Sequence, residues 1–142
     1  MTKDVLIRIK GSHLMNEDQE MLELMVLGQY YFRNGKHFLV YDEVMEEGGK
    51  PVHNVVKITE NLVEISKNGQ VESKMRFEKD KKEMSRYVTP FGEIWMGLDT
   101  KKIQMQQEAD SLQLEVQYAL ELNYEHTSDC TLCMEVSSVE GA

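Results

Sequence analysis

Cysteine is scarce in this chain of 142 residues: only Cys130 and Cys133 occur. Two thiols cannot build the disulfide framework on which small secreted domains rely. Positive charge is in deficit, with 16 Lys and Arg against 25 Asp and Glu and a formal charge of −9. That balance removes the basic footprint from which nucleic-acid binding draws most of its affinity, and it disfavours docking on anionic lipid. Long apolar runs are missing too. The opening Val5-Leu6-Ile7 is broken by Arg8 and Lys10, which does not read as a signal peptide. Nothing approaches the roughly 18 uninterrupted apolar residues of a membrane span. The expectation is a soluble, cytoplasmic protein with neither a nucleic-acid nor a membrane partner. No segment shows a helix long enough to cover the face of a sheet.

What the sequence does contain is alternation. In residues 111–122, Leu112, Leu114, Val116, Tyr118, Leu120 and Leu122 fall on one face, while Gln113, Glu115, Gln117, Ala119 and Glu121 fall on the other. Successive side chains of a strand point to opposite faces, so this pattern is a long strand with one buried and one wet face. The same reading places strands at residues 4–10, 21–32, 36–42, 55–59, 62–67, 70–77, 83–89, 93–98, 103–107 and 131–138. Gly28 falls inside the second, where a glycine often marks a bulge or bend. Asn34-Gly35 and Asn68-Gly69 are signals for hairpin turns with two positive-φ residues. Glu60-Asn61, Lys79-Asp80-Lys81, Pro90-Phe91-Gly92, Asp99-Thr100 and Ala109-Asp110 read as further tight turns. Residues 11–19 and the acidic residues 43–51 read as looser segments, with a short helical turn expected over 42–47.

Strands joined this tightly are antiparallel neighbours. With 41% hydrophobic residues and the length of one domain, residues 1–142, the chain has a core to build but no helix to cover it. A sheet of that many strands hides its apolar face by closing on itself. The predicted fold is therefore all-β: an up-and-down antiparallel barrel of about eight to ten strands, with a two-sheet sandwich as the alternative.

Several segments bear a resemblance to a known family. They are Val5-Leu6-Ile7-Arg8-Ile9-Lys10-Gly11-Ser12, Gly28-Gln29-Tyr30-Tyr31 ahead of Asn34-Gly35-Lys36, and Met75-Arg76-Phe77-Glu78-Lys79. Tyr87-Val88-Thr89-Pro90-Phe91-Gly92, Asp99-Thr100-Lys101-Lys102-Ile103 and Leu114-Glu115-Val116-Gln117-Tyr118-Ala119-Leu120-Glu121-Leu122 continue it in order. The chain resembles the YwiB-like proteins, small bacterial proteins with a domain of unknown function. The resemblance implies a calycin-like barrel, similar in shape to lipocalins, and supplies no catalytic residues. Phe91 stands where that family's pattern suggests Tyr, and Trp95 and the Cys130/Cys133 pair are peculiar to this chain.

No catalytic set emerges from the residues themselves. Cys130-Thr131-Leu132-Cys133 has the C-x-x-C spacing, but it lies in a strand. It lacks both a second ligand pair for zinc and a helix N-terminus to activate a thiol. His13, His37, His53 and His126 fit no nucleophile or metal motif and read as solvated or loop positions. Asp42, Glu43, Glu46 and Glu47 lack the ligand spacing of a calcium loop. No enzyme activity, cofactor or metal is expected.

The ten methionines are the more suggestive feature, because Met is flexible, polarisable and common at adaptable binding surfaces. Met96 shares a face with Ile94 and Leu98, and Met105 shares one with Ile103. Arg86 shares a strand face with Met84 and Val88, and an inward guanidinium could clamp a carboxylate. The expectation is a non-enzymatic binder of a small apolar or amphipathic ligand inside the barrel. Met84, Arg86, Met96, Met105, Leu114, Val116 and Tyr118 are its expected lining. The competing reading is a filled barrel that interacts with a protein or with a second copy of itself. Trp95, of opposite parity to Ile94, Met96 and Leu98, is then the expected contact on the outer face.

Overall fold

The computed structural model describes residues 1–15, 18–44 and 48–139. Ten strands follow one another: β1 (Asp4–Met15), β2 (Asp18–Arg33), β3 (Lys36–Glu43), β4 (Val52–Ile58), β5 (Leu62–Asn68), β6 (Glu72–Glu78), β7 (Lys82–Thr89), β8 (Gly92–Gln107), β9 (Ser111–Leu122) and β10 (Glu125–Ser138). Each pairs antiparallel with its sequence neighbours, and β1 pairs with β10, so the sheet closes into an up-and-down barrel. Closure hides the apolar face, as the alternating pattern required, and no helix covers it among the described residues.

The alternation sets the inside. Val5 and Ile7 of β1, Leu39 of β3, Val56 and Ile58 of β4, Val63 of β5, Phe77 of β6, Leu98 of β8, Leu112 and Val116 of β9 and Met134 and Val136 of β10 are buried and form one core. The hairpin turns follow their chemistry. Asn34 and Gly35 both take positive φ, 52° and 75°, as a two-residue turn with the strands' own twist demands. Asn123 and Tyr124 do the same at 50° and 72°; Asn tolerates that region readily, whereas Tyr rarely adopts it.

Several strand limits differ from the sequence expectation, each for a physical reason. Residues 11–15 continue β1 because their backbone is paired on both sides, from Gly11↔Leu132 to Leu14↔Asp129 and from Gly11↔Leu22 to Met15↔Asp18. Ladder bonds on two flanks outweigh a polar side-chain pattern. Asp99-Thr100 is not a turn. β8 runs through it with a bulge between Thr100 and Lys102, and Leu98 and Thr100 are both fully buried. Asn68-Gly69 gives positive φ only at Gly69, and the connection lengthens to include buried Val71. The expected helical turn falls partly in β3, and Met45, Glu46 and Glu47 lie outside the described residues.

Candidate functional site

The barrel wall loosens along one seam. β2 and β3 are paired only from Gln29↔Val40 to Arg33↔Lys36. Among the described residues, the earlier half of β2 pairs with β1 alone. Gly28 sits at the parting of the two strands. A Cβ there would lie 2.7 Å from the Val40 carbonyl oxygen and 2.8 Å from Ile7 Cδ1, so only glycine lets the strands approach so closely before they diverge.

Beneath the seam is a cavity of about 250 Å³. Leu22, Glu23 and Leu24 of β2 and Tyr41 and Glu43 of β3 form its mouth side. Ile9, Ile65, Met75, Leu132 and Met134 supply the apolar wall, and Tyr118 closes part of it. The Tyr118 ring packs on Phe77 with centroids 4.8 Å apart. Its hydroxyl engages Cys130, and burial pushes its pKa up from that of a free phenol, which makes it a weaker acid.

The polar side of the cavity is built around Lys67. This half-buried ammonium donates to Glu43 Oε1 and to Asn54 Oδ1, each at 2.9 Å. Asn54 is fully buried on β4, and its Nδ2 donates to the Val52 carbonyl at 3.1 Å, which fixes the amide. The Lys67–Glu43 pair therefore sits in a satisfied network rather than as an isolated buried charge. Tyr41 lines the same cavity, with only 6% of its surface exposed, and burial together with the nearby Glu43 carboxylate keeps its proton on.

The residues expected at a binding site are distributed differently. Of the seven, Tyr118 lines the cavity. Met96, Leu114 and Val116 are buried in the core, and Met105 packs against it half-buried. Met84 and Arg86 do not face the interior: Ser85 between them is buried, Met84 is exposed, and Arg86 reaches Glu93 on the outer face at 3.4 Å. One strand cannot turn three successive residues inward, and a guanidinium is more stable in water. Trp95 is on the outer face, directly opposite Arg86 in the β7–β8 ladder and 38% exposed.

The histidines also separate. His37 is not solvated. It is buried at one end of the barrel, with the Tyr30 hydroxyl 2.7 Å from Nδ1 and the Phe32 ring 4.9 Å away between centroids. His53 pairs with Asp42 at 2.8 Å, and His126 with Asp129 at 3.2 Å, both exposed. Cys130 is buried and Cys133 half-buried, neither in a disulfide, and burial raises both above the usual thiol range. Among the described residues no group of three or more His, Cys, Asp and Glu side chains is placed to hold a metal, and no helix is long and apolar enough to cross a membrane.

Sequence reasoning missed Lys67, a polar strand residue that looks like part of a solvated face, and Asn54, which fell outside the expected strands. It read Glu43 as part of a looser acidic segment, whereas Glu43 ends β3. Tyr41 had a usable signal: it shares parity with Leu39, whose apolar neighbours on β3 mark the inward face.

The comparisons with known proteins agree with the architecture. A family model described as a domain of unknown function (DUF1934) matches residues 7–134. The chain is 26% identical over 139 residues to the uncharacterized beta-barrel protein YwiB of Bacillus subtilis (strain 168), covering 95% of this chain and 96% of that protein. The crystal structure of the ywiB protein from Bacillus subtilis superposes with a TM-score of 0.84 at 22% identity, covering 96% of this chain and 92% of that one.

Proposed function

From the premise that the chain belongs to the DUF1934 family, whose role its own description leaves open, we propose that the protein is a non-enzymatic binder of a small, largely apolar molecule held inside the barrel. The cavity under the β2–β3 seam carries this reading. It is apolar on most of its wall, has one polar cluster, and has an opening where the strands part. A concave, mostly apolar space with a few convergent polar groups is the usual form of a small-molecule site. At about 250 Å³ it lies below the roughly 300–1,000 Å³ of most such sites, which favours a short ligand over a long-chain lipid. Native mass spectrometry of gently purified protein tests it. An excess mass that is lost on denaturation supports the reading and identifies the ligand class. A bare polypeptide mass after purification, with no uptake from a panel of short amphiphiles, overturns it.

A second reading, self-association, is supported by the outer surface. Met21, Leu22, Met25 and Leu27 are each more than half exposed along the earlier half of β2, which pairs with β1 alone among the described residues. Unpaired strand edges with apolar side chains recruit other strands. A clean dimer peak in the same spectrum, lost on Met25→Lys, supports this alternative.

A further inference from the structure

Two hydrogen-bond donors face the cavity from its polar side. Tyr41 is more than nine-tenths buried and lines the cavity, where its hydroxyl has no hydrogen-bond partner among the described residues. It is not one of the fully enclosed polar atoms without a partner, which are Ser73 Oγ and Thr100 Oγ1, so it is reached from the cavity space. An ammonium carries three N–H donors. Lys67 spends two on Glu43 and Asn54, which leaves a third. Both residues line the same cavity. Burial holds Tyr41 in its protonated form, so the group is a donor.

The charge balance restricts what those donors accept. The Lys67 charge is already matched by Glu43 at 2.9 Å. A carboxylate ligand would bring a second negative charge beside Glu43, and like charges at that distance repel. A neutral oxygen acceptor meets no such opposition. Of the rest of the lining, Ile9, Ile65, Met75, Leu132 and Met134 offer apolar contact, and Glu23 at the mouth adds a further carboxylate.

We infer that the cavity selects a short, uncharged molecule with one acceptor oxygen of the ketone, aldehyde or ester class, held by the Tyr41 hydroxyl and the free Lys67 N–H, with its hydrocarbon part against Ile65, Met75 and Met134. This rests on the reading of the barrel as an interior binder and adds the chemistry of its ligand.

The test compares three probes of equal chain length: 2-heptanone, heptanoate and heptane. Binding to the full chain is followed through the methionine methyl NMR signals, since Met75 and Met134 lie on the cavity wall and report where a probe sits. The expected result is that 2-heptanone shifts both signals and binds more tightly than either other probe. Tyr41→Phe, which removes only the hydroxyl, is expected to weaken 2-heptanone by about 2- to 10-fold, the worth of one neutral hydrogen bond, and to leave heptane unchanged. Lys67→Met gives the second, independent variant, with a loss of similar size, and serves where Tyr41→Phe does not fold. Heptanoate binding as tightly as 2-heptanone, or Tyr41→Phe and Lys67→Met leaving 2-heptanone binding intact, would overturn the ligand assignment while the interior-binder reading stands. If none of the three probes moves either methionine signal, the interior-binder reading itself falls, and this assignment with it.

Discussion

Two neighbouring strand pairs of the barrel wall lose their pairing over part of their length, and the interior behind the two gaps is filled differently. Between β2 and β3 the pairing stops at Gln29↔Val40, and a cavity lies behind the gap. Between β6 and β7 the pairing is shorter still, limited to Glu72↔Val88 and Ser73↔Tyr87. There, however, fully buried Phe77 fills the interior side of β6, and the Ser85 hydroxyl donates to the Lys74 carbonyl at 2.5 Å in place of a ladder bond. A missing ladder bond therefore does not make a pore. The side chains under it decide: at Gly28 the strands are in close contact, and the cavity opens further along β2, beside Leu22, Glu23 and Leu24.

The largest expected effect comes from emptying the filled seam. Phe77→Ala removes a fully buried ring that also supports Tyr118. Truncation of such a ring typically costs about 3–5 kcal/mol, read as a lower urea midpoint at unchanged slope. A loss below about 1 kcal/mol would mean that the two seams do not differ in packing. Next comes crowding the open seam. A side chain at Gly28 meets the Val40 carbonyl and Ile7, so Gly28→Val is expected to destabilise by about 1–3 kcal/mol and to pry β2 from β3. Faster amide exchange in residues 29–33 than in β9 is the signature. Protection that stays uniform would show that the seam is not the weak point.

The smallest effect is in pH. Burial lowers His37 below its ordinary value of 6.5, so the native state binds this proton less readily than the unfolded chain. Stability is then fully present above about pH 6.5 and declines as the pH falls from there toward the lower native value. In the tautomer that leaves Nδ1 bare, that nitrogen accepts from the Tyr30 hydroxyl at 2.7 Å, and protonation removes the acceptor. Urea midpoints at pH 7.5 and pH 5.5 should differ in that direction, and His37→Gln should reduce the difference. A His37→Gln curve parallel to the parent would remove His37 as the cause.

These contrasts explain how far the sequence could be read. Closure into an antiparallel barrel followed from strand alternation and short connections, because both are local. Leu112, Leu114 and Val116 announce the inward face of β9 by parity alone. The bulge at Thr100 and the doubly paired extension of β1 depend on what lies across the ladder, and no local pattern carries that. The site was less legible for the same reason. Parity was read from the apolar neighbours of Arg86, yet Ser85 is the residue turned inward on β7. Lys67, Asn54 and Glu43 come from three strands and acquire meaning only when β3, β4 and β5 are laid side by side.

The pairing of β1 with β10 has a consequence for how the chain reaches this shape. Every other neighbour pair is a hairpin that can form as soon as its two strands exist. The Val5↔Ser138 contact joins residues about 130 positions apart and must wait for all the strands between them. Bringing such distant segments together carries most of the loop-closure entropy of the topology. Ring closure is thus a late and slow event, and until β10 arrives β1 presents one bare edge to the surrounding solution.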